Sequence, residues 1–473
     1  MYYFKYMPVN SIRRGTIRFE AGGLARNTLF ALGQSLAVAI CLFLSYRLVV
    51  AHVGLERFGV WSLLLAGSAM VRIGDVSGGG ALARFVAEAS RTSDPSRPRD
   101  VVHTVILTSL AFNAAIALVL WLGAPSVLPL IVTPSHLAEA HALVPYVVAS
   151  MVVGALAVAV SSGIDGTQRA DQRALVTIVA SLVFLGACAL LVPSYGVLGF
   201  GAAQVLQQTT VLALGWLVLR RHIADLGWLP LRWRRDAFTE TSTYALKLNA
   251  IGVAGMLFEP LAKFAFNHAG GPALVALYEL AARLVVQVRA LTVSAATPLV
   301  PAFARVSVAD PNFKRMLERA TRIAAFAAVG TTIATLVGAP VMSLIVLGHL
   351  SPELLAMNSA LTAAWSINIL VVPIYFAAQG VGVLRWNFVS HAAIALSTVF
   401  GVFLLVPPFG PAGLIAAIVA GVILSMIIVL FGNAHALGVV GVVRGLWREL
   451  LGASALIVLL SSIAYAVATL SAG

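Results

Sequence analysis

From residue 27 onward the chain alternates between long apolar runs and short polar interruptions. A helix needs about 20 apolar residues to cross the hydrocarbon core of a bilayer. Runs of that order fall at 27–50, 58–78, 101–123, 142–163, 172–192 and 197–219. A second set falls at 243–268, 274–297, 320–347, 354–380, 386–407 and 411–433, and a last run covers 449–470. In lipid each segment must satisfy its own backbone hydrogen bonds, so these runs predict helices. The most polar interior stretch, residues 220–241, has six runs before it and six after, before the tail run. Transporter folds are often pairs of related helical bundles with the substrate path between them. The predicted fold class is therefore an all-α polytopic membrane protein, with two six-helix bundles around a central cavity and a C-terminal apolar helix. The expected bounds are 1–220 for the N-terminal bundle, 221–241 for a cytoplasmic linker loop and 242–433 for the C-terminal bundle. Residues 434–473 form a basic segment and the extra helix.

Charge sets the orientation. Lys and Arg concentrate in alternate loops: 24 of the 31 fall in the tail and in 79–100, 164–173, 220–241, 298–322, 381–386 and 434–448. Only Arg57 lies in an opposite loop, and six lie within the spans. That asymmetry predicts a multi-pass membrane protein with a cytoplasmic N-terminus. It also explains the net charge of +13 without nucleic acid, for which no continuous basic face exists. The two cysteines, Cys41 and Cys188, both sit in apolar runs and read as small core residues. No phosphate-binding loop, metal-ligand spacing or nucleophile–base arrangement is present, and the short outer loops leave no room for a catalytic apparatus. The expectation is a protein that is not an enzyme and carries no cofactor or metal.

The charges inside the spans are the candidate chemistry, because an ionised side chain at bilayer depth is expensive and marks a pathway or a binding site by default. Arg72, Arg283 and Arg289 are expected to line a cationic cavity, with Arg47 and Lys263 as further members. A guanidinium fork matches phosphate oxygens, so a surplus of cations points to a phosphate or pyrophosphate group. Two bland alternatives stand beside this reading. Glu259/Lys263 and Glu279/Arg283 are each four residues apart, acid first, and can neutralise each other along one helix. Arg47 and Lys247 lie near span ends and can snorkel to the headgroups. Asp75, Glu259 and Glu279 are candidates for carrying a coupling ion, and Pro260 for a hinge. Gln204, Gln207, Gln208, Asn249, Asn267 and Gln379 can bond sugar hydroxyls or glue helices together. A repeat is also visible. Arg47…His52-Val53-Gly54 aligns with Lys263…His268-Ala269-Gly270, and after one inserted residue Trp61 and Arg72 align with Tyr278 and Arg289.

Asn27-Thr28, Gln34, Arg47, Gly54, Phe58-Gly59, Asp75 and Arg84, followed by Tyr278-Glu279-Leu280-Ala281-Ala282-Arg283, resemble the signature of polysaccharide (O-antigen type) flippases. These belong to the multidrug/oligosaccharidyl-lipid/polysaccharide exporter superfamily. The resemblance implies a V-shaped pair of bundles that alternates between inward-open and outward-open states. It implies an undecaprenyl-pyrophosphate-linked oligosaccharide as substrate, H+ or Na+ as driving ion, and glycan polymerases or glycosyltransferases as partners besides membrane lipids. Two alternatives are a cation-coupled multidrug exporter of the same superfamily and a peptidoglycan-precursor (lipid II) flippase. Bare membrane carboxylates would be expected for the first, and fourteen helices for the second.

Overall fold

The computed structural model describes residues 21–71, 79, 82–90 and 94–470, with side chains outside 21–32, 69–71, 247–257 and 301. Arg72 and Asp75 lie outside the described residues, as do the side chains of Lys247 and Asn249. Among the described residues there are helices and no strands.

Among the described residues, thirteen long helices fall in the thirteen apolar runs. The first six are α1 (21–53), α2 (55–71), α3 (Arg97–Ile131), α4 (Leu137–Gly166), α5 (170–195) and α6 (197–222). The second six are α7 (235–270), α8 (272–296), α9 (Pro311–Leu347), α10 (Pro352–Ile369 continued by Val372–Val381), α11 (Arg385–Leu404) and α12 (411–436). The last is α13 (Trp447–Leu470), which packs against α9 and α10 and is long and apolar enough to cross a membrane. Short helices at Leu82–Ala89 and Leu299–Ala304 follow α2 and α8.

Most connections fit the local chemistry. Asp310 caps α9 by accepting from the Asn312 amide, and Ser351 caps α10 by accepting from the Leu354 amide. α10 bends by 45° at Leu370–Val371. Pro373, just beyond, lacks an amide and its ring crowds the carbonyl four residues back, which is the cause of the bend. Pro260 behaves otherwise, because the helical dihedrals run through it and the break in that long helix is at Gly271.

Two reversals matter for the site. Gly54 (φ 83°, ψ 168°) separates α1 from α2, and Gly271 (φ 76°, ψ −172°) separates α7 from α8. Both hold a conformation that a Cβ opposes, so glycine is required. Their dihedrals match, which pairs Gly54 with Gly271 at an offset of 217 residues rather than with Gly270. The inserted residue therefore lies before the turn. One register then covers Tyr46/Lys263, Trp61/Tyr278, Ser62/Glu279 and Arg72/Arg289.

The buried apolar side chains show how the halves meet. At the end carrying these glycine turns, one core runs through both halves, from Tyr46, Phe58 and Phe200 to Phe266, Val346 and Leu414. At the opposite, basic end the cores are separate. One, around Phe85, Ile106 and Leu219, belongs to the first half together with Ala237 at the start of α7, and one, around Phe313, Ile374 and Leu450, belongs to the second. The halves are thus sealed together at the glycine-turn end and diverge toward the basic end. Gly59 is the tightest point of the seal, since a Cβ there would stand 1.8 Å from the Pro272 carbonyl oxygen.

At the basic end the first turns of α7 stay with the first half. Arg97 bonds both Asp236 (2.5 Å) and Glu240 (2.8 Å), and Arg234 bonds Asp236 (3.0 Å) and reaches Asp100 (3.4 Å). Arg84 lies over the Tyr244 ring at 4.5 Å. The hydrogen bonds from Arg234 and Arg97 push the Asp236 carboxyl down to about 2.

Two outcomes are expected. Gly59→Val forces the seal apart, so a cysteine placed at the buried Val275 should react with maleimide several-fold faster in the Gly59→Val protein than in a Gly59 background. For Asp236, the folded value lies below the ordinary carboxylate value, so its stabilisation is complete above about pH 4 and fades as pH falls toward 2. The melting-temperature difference between wild type and Asp236→Asn should be small, because the side chain is half exposed, and should be smaller at pH 3 than at pH 6.

Candidate functional site

Below the seal, where the two halves begin to part, Glu279 is the centre of a polar cluster. It lies eight residues past Gly271, about 12 Å along α8 at 1.5 Å per residue. Its Oε1 accepts from the Tyr46 hydroxyl (3.1 Å) and from Arg283 Nε (3.0 Å) and Nη2 (2.6 Å). Its Oε2 accepts from the Ser62 hydroxyl (3.2 Å) and faces Lys263 Nζ at 2.7 Å. Tyr46 and Ser62 come from α1 and α2, Lys263 from α7, and Arg283 from α8 itself. Glu259, one turn before Lys263, pairs with it at 3.0 Å and stands 3.9 Å from Arg283.

Burial grades the members. The side chains of Lys263 and Glu279 are each 6% exposed, Arg283 is one-third exposed, and Glu259 is more than half exposed. An ionised carboxylate survives burial only when its lone pairs are taken up by donors and its charge is balanced. Glu279 meets both conditions with four donor residues on two oxygens. The two acids and two bases sum to no net charge.

This corrects the expectation of surplus cations here. Both acid-to-base pairs along one helix form, and the Lys263–Glu279 bond ties one pair to the other. Tyr46 and Ser62 were not among the sequence candidates. The signal for them was the repeat: in the 217-residue register Tyr46 corresponds to Lys263 and Ser62 to Glu279. Two pairs of equivalent positions converge on one carboxylate, so the cluster sits where the repeats meet.

A cavity of about 170 Å³ opens beside the cluster, walled by both halves. Trp61, Gln204 and Gln207 of the first half face Lys263, Glu279 and Arg283 of the second. The other amide candidates have different surroundings. Asn267 donates to the Ile131 carbonyl (2.7 Å) and stitches the seal, and Gln208 packs on Gly154.

Arg47 and Arg289 are elsewhere. Arg47 is at the glycine-turn end, where Nη1 reaches the Val346 carbonyl at 3.4 Å beside Gly348, the left-handed cap of α9. A guanidinium there complements the free carbonyls of a helix C-terminus. Arg47 thus joins the seal and lines neither cavity. Arg289 is in a second cavity of about 280 Å³ within the second half, so the expected single cavity shared with Arg283 is two. Its Nη2 donates to Asn368 Oδ1 (2.8 Å), its guanidinium lies 5.0 Å from the Trp365 ring centre, and its buried Nε has no partner among the described residues. Among the described residues no three His, Cys, Asp or Glu side chains gather as a metal site.

Comparison with known proteins adds context to this geometry. The sequence model of a family described as polysaccharide biosynthesis protein matches residues 86–350. No curated protein sequence matches the chain. Among solved structures, the chain is similar to an inward-facing multidrug resistance MATE family transporter of the MOP superfamily. The TM-score is 0.71 at 15% identity, over 87% of this chain and 98% of that one. It is also similar to the lipid II flippase MurJ in an inward closed conformation, with a TM-score of 0.65 at 13% identity over 93% and 98% of the two chains. A MOP superfamily transporter from Pyrococcus furiosus, described as having a binding pocket of reverse polarity, gives 0.56 at 16% identity over 88% and 93%. At these identities the likeness establishes the fold.

The cluster makes a quantitative prediction. Glu279→Gln leaves Lys263 buried without its main counter-ion, a change that costs roughly 3–5 kcal/mol in comparable buried pairs. Lys263→Met alone also destabilises. The double variant should lose less than the sum of the two, with a coupling of roughly 1–3 kcal/mol measured by denaturation in detergent.

Proposed function

The chain belongs to the family of polysaccharide biosynthesis proteins, and on that premise we propose that it flips a polyprenyl-pyrophosphate-linked oligosaccharide across a bacterial inner membrane. The single observation that carries this reading is the polar cavity at the junction of two separately cored halves, with its floor made of groups that bond the halves to each other. A transporter of this kind must open one end while the other is sealed, and must couple the change to occupancy of the site.

The basic end is the cytoplasmic one in this proposal, so the sealed glycine-turn end faces outward. A lipid-linked headgroup enters between the diverging halves while its tail stays in the bilayer. Lys263 and Arg283 are donors already held by Glu279 and Glu259, and an arriving pyrophosphate competes with those carboxylates for them. Fork-to-phosphate bonds of this kind are strong when shielded from water. Drawing Lys263 and Arg283 away weakens the arrangement that holds Glu279 against Tyr46 and Ser62, which links loading to loosening of the seal. Arg72, the repeat equivalent of Arg289, is a further phosphate contact in this proposal, and Asp75, Glu259 and Glu279 are the positions at which H+ or Na+ would act. Protonating Glu279 removes the charge that balances Lys263, so an ion gradient and the substrate address the same contact. Glycosyltransferases or a polymerase would supply and consume the glycan.

The balance of charge disfavours the exporter of cationic drugs, since each acid in the cluster is already paired with a base. The direct test is a vesicle assay. Full-length protein in proteoliposomes should expose a fluorescent polyprenyl-pyrophosphate-linked glycan from the inner leaflet to an impermeant quencher, and Arg72→Ala and Arg283→Ala should each slow it roughly tenfold or more. Unchanged rates in both variants would overturn the phosphate role, and no acceleration over empty vesicles would overturn the flippase reading.

A further inference from the structure

We propose that the second cavity, around Arg289, is a subsite for a carboxylate-bearing sugar of the glycan, so that the protein selects acidic repeat units. The inference rests on the flippase reading and deepens it. The cavity is framed by α7, α8, α10, α11 and α12, within the second half, and does not share a lining residue with the interface cavity. At about 280 Å³ it is near the small end of small-molecule sites, roughly 300–1,000 Å³, which suits a sugar-sized group and not a whole oligosaccharide.

Three observations define its ligand. Among the described residues that line it, Arg289 is the only Lys or Arg, and none is acidic. Its Nη2 is held by a neutral amide, Asn368, its buried Nε has no hydrogen-bond partner among the described residues, and no carboxylate among them pairs with the guanidinium. A group buried in this way calls for an anion. The remaining lining is amphipathic. Phe258, Trp365 and Phe376 form an aromatic wall, while Ser390 and the Tyr375–His391 pair (3.1 Å) supply hydrogen-bonding groups. A pyranose presents that combination, an apolar C–H face and an equator of hydroxyls.

Charge count separates a carboxylate from a pyrophosphate. One guanidinium balances one carboxylate, and its planar fork matches the two oxygens. A pyrophosphate would bring at least one more negative charge into a cavity whose described lining holds no second Lys or Arg. A small ion such as acetate would satisfy the charge and leave the aromatic wall and the hydroxyl-binding groups unused.

The test is calorimetric titration of the full-length protein in detergent with D-glucuronate, D-glucose, acetate and inorganic pyrophosphate. Glucuronate should bind roughly tenfold or more tightly than glucose and than acetate, and Arg289→Gln should remove that advantage. Arg289→Lys, which keeps the charge and loses the fork, should retain part of it, and its melting temperature serves as the folding control. Equal binding of glucuronate and glucose overturns the proposal. So does glucuronate binding unaffected by Arg289→Gln, or pyrophosphate binding more tightly than glucuronate in an Arg289-dependent way. The vesicle assay separates the two readings: transport without a glucuronate preference overturns this proposal alone. Arg289-dependent glucuronate binding without transport supports the subsite and overturns the flippase.

Discussion

The carboxylate of Glu279 is the contact on which the arrangement of the two halves depends. It is almost fully buried, where an unbalanced charge costs several kcal/mol, so its position is tolerable only while donors converge on it. Two of those donors, Tyr46 and Ser62, belong to the opposite half. The electrostatic need of one buried side chain is thus met by bringing two bundles together. The apolar seal above it has no such specificity. Leu, Val and Phe side chains can slide, whereas a carboxylate bonded by four residues has few equivalent positions. The polar cluster sets the register of the interface, and the seal from Val49 to Val346 supplies the buried area.

The repeat explains why the cluster is where it is. Tyr46 and Ser62 meet Lys263 and Glu279, their equivalents at a 217-residue offset, at one carboxylate, so equivalent residues face each other along a line between the halves. At that line the two copies need to be complementary, because two lysines or two glutamates facing each other would repel. Tyr46 and Ser62 in one copy and Lys263 and Glu279 in the other satisfy this. The first copy offers neutral hydroxyls, and the second carries the ions together with their own counter-ions.

Much of the fold was legible because hydrophobic run length is a direct reading of bilayer thickness. Among the described residues all thirteen runs are helical, within a few residues at most ends. The six-plus-six grouping followed from the polar stretch at 220–241, and the family resemblance from motifs around Gly54 and Tyr278. The pairs Glu259/Lys263 and Glu279/Arg283 were legible as well, since they lie on single helices. The contacts that cross between helices were not. That Arg47 would cap α9 at Val346 depends on a neighbour 299 residues away. The separation of Arg283 from Arg289 depends on how α8 rotates against α10. Six residues along a helix turn a side chain by roughly 600°, or about 120° from where it started, so the two arginines face different neighbours. Sequence depth gave both the same address, and rotation gave them different ones.

That difference divides the intramembrane charges by the company they keep. Lys263 and Arg283 have carboxylates in reach, so any anion that uses them must displace an existing partner, and its binding is coupled to rearrangement. Arg289 has a neutral amide and an aromatic ring, so an anion there displaces no carboxylate, and its binding is a matter of recognition. A flippase of the kind proposed would need both properties, and they conflict at a single site: a group held tightly enough to be recognised resists release, and one that triggers a conformational change must first break something. With the exchangeable ions at the junction of the halves and a guanidinium without a carboxylate among the described residues inside one half, the first would respond to loading in the proposed flippase while the second travelled with its own bundle. The α8 helix carries both, so a movement of the second half transmits each to the other.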